Sequence, residues 1–180
     1  MRRTISTVVA VLAIEAALGV AIMYSGAFNV AASEPHGPLG KWILETTMEH
    51  SVKMRAASIQ SPTLGEERIA KGFREYDEDC VVCHGAPGDE RSEVSKGLMP
   101  HAPDLAKLGD EWTAAEIFWI VKHGVKMTGM PAWGKSDTDD DLWNVVAFVR
   151  RLPTLSADEY HAMRAANARA AGEGERDGKP

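Results

Sequence analysis

Cys80-Val81-Val82-Cys83-His84 is the stretch whose reading decides this chain. It holds the only two cysteines among 180 residues. Two thiols three positions apart at a helix end can each add to one vinyl group of the same porphyrin. The residue after the second thiol then falls beneath the iron and becomes its proximal ligand. The pentapeptide therefore predicts one covalent haem c, with Cys80 and Cys83 as thioether anchors and His84 on the iron. A structural zinc site would need a second Cys or His pair at matching spacing, and no further Cys exists. A thioredoxin-type redox pair sits between a strand and a helix, whereas the flanks here read as helix.

Upstream, Thr63-Leu64-Gly65-Glu66 has the form of a capping box and predicts a helix start. Ile69, Gly72, Phe73, Tyr76 and Cys80 follow at three- and four-residue intervals, one face of a helix running into the motif. Gly72 either permits a close helix crossing or weakens the helix by up to about 1 kcal/mol.

Downstream, Gly85, Pro87 and Gly88 turn the chain, and a loop is expected as far as Gly97 to Leu105. Thr113-Ala114-Ala115-Glu116 caps a short helix through Ile117, Phe118 and Val121, with Gly124 as its terminator. An irregular stretch, Val125 to Gly134, contains Met127, Met130 and Trp133. Thr138 and three aspartates open a last core helix whose apolar face is Leu142, Val145, Val146, Phe148 and Val149, and Pro153 stops it.

The chain from about Gly65 to Leu152 resembles a class I, single-haem c-type cytochrome of the membrane-anchored bacterial type. Gly72 and Tyr76, the pentapeptide, Pro103-Asp104-Leu105, Gly129-Met130-Pro131 and Phe148 carry the resemblance. It implies an all-α fold, a cytochrome c-like helical domain around one covalent haem. It also implies that the first and last helices cross at Gly72, Tyr76, Val145 and Phe148. The carbonyl of Pro103, with Pro100 second, would accept a hydrogen bond from His84 and raise its basicity. The distal iron ligand is expected to be Met130, 130 − 84 = 46 residues after His84. Met127 and Met99 are its rivals, and His101 or His123 would instead give bis-histidine ligation. Trp133 is best placed by the resemblance to shield haem or reach a propionate, while Trp119 and Trp143 read as core.

The N-terminus adds a membrane segment. Arg2 and Arg3 precede an apolar run from about Thr4 to Phe28, longer than the core of about 7–15 residues in an export signal. A retained anchor is favoured over cleavage after Val30-Ala31-Ala32. Both keep the arginines inside and export the rest. The expected location is the bacterial inner membrane, single-pass, with the haem domain in the periplasm. Glu15 costs on the order of 2–3 kcal/mol mid-membrane unless paired or protonated. It reads either as a contact with a partner membrane subunit or as a tolerated protonated carboxyl. The domain plan is 1–30 anchor or signal, 31–62 connector with a short spacer helix, 63–153 haem domain, and 154–180 tail. Ser156-Ala157-Asp158-Glu159 caps a helix in that tail, and disorder is expected from Gly172.

A formal charge of −6 argues against nucleic acid as a partner. With both axial positions filled by protein, the expected function is transfer of single electrons between redox-protein partners, without catalysis. Lys126 and Lys135 would rim the electron exit. Two other readings stand beside it. One is a haem-bearing subunit of a larger dehydrogenase or oxidase. The other is a ligand-binding sensor or peroxidase with an open sixth site.

Overall fold

The computed structural model describes residues 1–108 and 111–177, the side chains of 171–177 excepted. Among the described residues every regular element is helical. The chain divides into two compact units, Met1–Glu34 and Pro35–Pro180.

The first unit is one helix, α1 (Arg2–Ser25), closed by Gly26 in the left-handed conformation. Its 24 residues measure about 36 Å, enough for a hydrocarbon core of about 30 Å. None of them is buried against protein. Ser6 and Thr7 donate their hydroxyls to the carbonyls of Arg2 and Arg3, each at 3.0 Å. Their polarity is thus satisfied inside the helix, as a lipid-facing helix requires.

The second unit begins with α2 (Pro38–Ala56), which Pro38 opens from a favourable first-turn position. This helix, expected to be a spacer, buries Val52 and Ala56 and packs on α6 (Ala114–His123). The chain then stays irregular until α3 (Glu66–Glu75), capped by Gly65 without a side-chain bond. The capping box expected at Thr63 does not form. Ile59 and Leu64 pack against the core, and those tertiary contacts hold the segment out of helix.

From α3 the chain passes through a π turn at Tyr76–Cys80 into the single turn of α4 (Val81–His84). A short α5 (Glu93–Gly97) interrupts what reads as loop. The box expected at Thr113 forms and opens α6, and Thr138 also makes a capping box, with Asp141, at the start of α7 (Asp139–Arg151). Gly124 ends α6 with φ of 64°. The Ser156 box also forms and opens α8 (Ala157–Asp177). α8 continues past Gly172, where disorder was expected. Ala165, Ala166, Ala168, Ala170 and Ala171 are strong helix formers and carry it on. The last three residues of that expected disordered tail, 178–180, lie outside the described residues.

The core forms where α3 crosses α7. Phe73, Tyr76, Phe148 and Tyr160 meet there, with Phe73–Phe148 and Tyr76–Phe148 ring centroids 5.3 and 5.2 Å apart. Such edge and tilted contacts add to the burial of large rings. Trp143 stacks on Phe118 at 4.2 Å and joins the core, as read from the sequence.

Candidate cofactor and metal site

The attachment motif lies at the end of the α3 arm, and the π turn shapes it. An extra residue per turn at Tyr76–Cys80 rotates the following backbone relative to a regular helix. Cys80 and Trp133 line one cleft together with Val121, Leu142 and Val145. Cys80 and Cys83 are not joined in a disulfide. Burial, with the charge of Asp79 next, pushes the Cys80 thiol up to about 12.

His84 is half-buried. Its Nδ1–H donates to the Pro103 carbonyl at 3.0 Å. A carbonyl only accepts, so this bond sets the tautomer and leaves the Nε2 lone pair free for a metal. Burial, and then the charge of Arg91, lowers the imidazole pKa despite the opposing Pro103 bond. The neutral ring that results is the ligating form.

Met130 is presented by the loop between α6 and the 3-10 turn Trp133–Lys135. Its amide donates to Thr128 Oγ1 at 3.1 Å, and the Thr128 hydroxyl donates to the Val125 carbonyl at 2.8 Å. The Val125 amide closes the loop on the Met130 carbonyl at 3.3 Å. A Cβ on Gly124 would lie 2.7 Å from that same carbonyl, and one on Gly129 would lie 2.7 Å from Leu98. Gly124, which faces backbone at positive φ, is therefore needed for the loop to settle, whereas at Gly129 the end of the Leu98 side chain would have to shift. Met130 packs against the core, whereas Met127 is 92% exposed with φ of 62°. Met99 is half-buried, and His101 and His123 are exposed. Trp119 lies against His123, with ring centroids 4.9 Å apart.

Several residues that fasten the motif escape sequence reasoning. A one-turn helix leaves its carbonyls unpaired. The Ser95 hydroxyl donates to the Cys83 carbonyl at 2.6 Å, the Ser92 hydroxyl to that of Val82, and the Tyr76 hydroxyl to that of Gly85 at 2.8 Å. Arg91 donates to the Ala102 carbonyl at 2.8 Å and to Ser95 Oγ at 3.2 Å. Ser92 also caps α5 by accepting from the Ser95 amide. That local cap signature was legible, but its role under the motif was not.

The donor set fits a covalently held haem: two thiols three positions apart, a neutral histidine with one nitrogen engaged, and a thioether on a second loop. Residues 67–149 match the family described as cytochrome C oxidase, cbb3-type, subunit III. The cbb3-type cytochrome c oxidase subunit CcoP of Azospirillum sp. (strain B510) is 31% identical over 102 residues. That match covers 50% of this chain and 32% of the relative, so the chain spans about a third of the curated protein it resembles. A chain of the Kuenenia stuttgartiensis reducing HAO-like protein complex aligns with a TM-score of 0.45 and 22% identity, over 52% of this chain and 47% of that one.

Proposed function

We propose that this membrane-anchored c-type cytochrome passes single electrons between redox-protein partners, with one haem c whose iron is held by His84 and Met130. The His84–Pro103 hydrogen bond is the observation that carries the reading, because it leaves Nε2 as the ring's available donor. Two cysteines suffice for one haem. The haem supplies a one-electron couple, and a thioether ligand raises its potential by favouring ferrous iron. The chain's own residues hold the histidine in one tautomer, press Met130 inward and cover one side with Trp133. Lys126 and Lys135, both exposed, offer charge that steers an acidic partner. The positive-inside preference of Arg2 and Arg3 supports a topology with the second unit in the periplasm of a bacterial inner membrane. As a carrier with both axial positions filled, the chain performs no catalysis of its own.

The test is spectroscopic. The reduced protein should ignore carbon monoxide, and the oxidised protein should be low-spin with a sulfur-to-iron charge-transfer band. Ready carbon monoxide binding by the wild type would instead favour a sensor or peroxidase. Mass spectrometry should find the N-terminus intact, while a mature chain starting at Ser33 would mean a cleaved signal and a soluble protein.

A second reading makes the chain a haem-bearing subunit of a larger oxidase or dehydrogenase. The match to the cbb3-type subunit III description favours it. In that assembly Glu15 of α1 would face a partner membrane subunit. Purification from native membranes in mild detergent decides it: co-purifying subunits support the assembly, and an isolated chain removes it.

A further inference from the structure

α8 lies outside the segment that matches the cytochrome family, yet it reaches both flanks of the attachment motif. Asp77 sits in the π turn, three residues before Cys80. Asp89 sits in the loop, five residues after His84. The Tyr160 hydroxyl donates to Asp77 Oδ1 at 2.8 Å. Arg164 Nε donates to the same oxygen at 2.8 Å, and its Nη1 donates to Asp89 Oδ2 at 2.9 Å. His161 Nε2 donates to Asp89 Oδ1 at 2.8 Å. One guanidinium therefore joins the chain entering the motif to the chain leaving it.

The packing agrees with this. Tyr160 is fully buried, its ring 5.4 Å from Phe73, and the Arg164 guanidinium lies 4.9 Å from the Tyr160 ring centroid. At the start of α8, a Cβ on Gly88 would come within 2.5 Å of the Ala157 Cβ. Gly88 also has φ of +83°, so the loop after His84 touches α8 at a place where a side chain is excluded twice over.

We propose that α8 is a strap that holds the haem-attachment segment in register, with Arg164 as the positioning residue. α4 is a single turn, and a single turn is not stable alone. The residues between His84 and α5 have no regular structure to hold them. The Pro103 carbonyl orients the His84 ring, but it does not hold the backbone that carries the ring. The hydroxyls of Tyr76, Ser92 and Ser95 hold individual carbonyls of that backbone, and the Asp77–Arg164–Asp89 bridge ties its two ends together from outside the ligand set. Two charge-assisted bonds to one planar fork give a fixed separation between the two carboxylates, which Lys at the same position cannot reproduce.

The iron readout of this strap rests on the haem reading, whereas its backbone readout does not. The experiment uses the full-length holoprotein in detergent. Hydrogen exchange is followed for the amides of 77–89 and of α7, and the reduction potential is measured alongside. Arg164→Ala should speed exchange in 77–89 by about tenfold while α7 exchanges as in the wild type, because several bonds to charged groups are lost together, each weakened by the partial exposure of the guanidinium. The potential should shift in the same variant. Arg164→Lys, which keeps the charge and folds more readily, should give a smaller acceleration in the same segment. Uniform acceleration over 77–89 and α7 in both variants, with the potential unchanged, would mean that α8 only adds global stability, and would overturn the strap. Wild-type-like exchange in 77–89 in either variant overturns it as well. A preparation that binds no covalent haem would sink the haem reading separately, and the exchange result would still decide the strap.

Discussion

Gly72 of α3 lies directly against the backbone carbonyl of Asn144 in α7. A Cβ there would sit 1.9 Å from that oxygen and 2.3 Å from its carbon. The neighbour is backbone inside a packed helix and has nowhere to move. This contact lets Tyr76 and Phe148 meet beneath the attachment motif, so it links helix packing to the placement of Cys80.

Gly72→Ala is therefore expected to destabilise. Alanine gains up to about 1 kcal/mol in helix propensity, but forcing the helices apart costs typically 1–3 kcal/mol or more. The denaturant midpoint of the holoprotein should fall. A midpoint equal to the wild type would mean that the two helices do not cross this closely.

Met130 decides the sixth ligand. Met130→Ala should abolish the sulfur-to-iron charge-transfer band, admit carbon monoxide to the ferrous protein and lower the potential. Met130→His should stay low-spin and also lower the potential, because imidazole favours ferric iron relative to a thioether. Met127→Ala should change none of these, since that side chain is 92% exposed. Loss of the band in Met127→Ala but not in Met130→Ala would reassign the ligand.

Ser95 is completely buried and donates to the Cys83 carbonyl. Ser95→Ala leaves that acceptor without its hydroxyl and removes one partner of Arg91. The expected cost is about 1–3 kcal/mol, read as a lower midpoint of thermal or denaturant unfolding. A change within experimental error would show that water replaces the hydroxyl without penalty.

Glu75 gives stability a pH dependence of unusual sign. Burial, with Asp141 and Asp137 adding repulsion, pushes its carboxyl up to about 7 from an ordinary 4.5. The folded protein holds this proton where the unfolded chain has released it. Stability should therefore fall as pH rises from about 4.5 to about 7, with the full penalty present above that window. Asp89, Asp104 and Asp140 work in the opposite direction at lower pH, because their partners Arg164, Lys107 and Arg68 lower their pKa values. Glu75→Gln should flatten the melting temperature across the upper window. The gain is modest, because the carboxyl is partly exposed and water screens it. An unchanged slope would assign the effect to another group.

Much of this protein was determined by residues close together in sequence. The attachment motif is five consecutive residues whose chemistry is covalent. The span of α1 is a length of apolar chain. The caps at Thr113, Thr138 and Ser156 and the stop at Gly124 each act within four residues, so a local pattern records them. The faces of α3 and α7 follow from a 3.6-residue period, and Gly72 marks where they cross. Tertiary structure alone decided the rest. The box at Thr63 lost to the contacts of Ile59 and Leu64, and α2 proved to pack on α6 because Val52 and Ala56 found a partner far along the chain. Ser95, Tyr76 and Arg91 could not be read as supports of the motif, since a hydroxyl in a loop does not announce which carbonyl it will meet. The reach of α8 was the least legible. Tyr160 and Arg164 find Asp77 across 83 and 87 positions, and no periodicity connects residues that only a fold brings together.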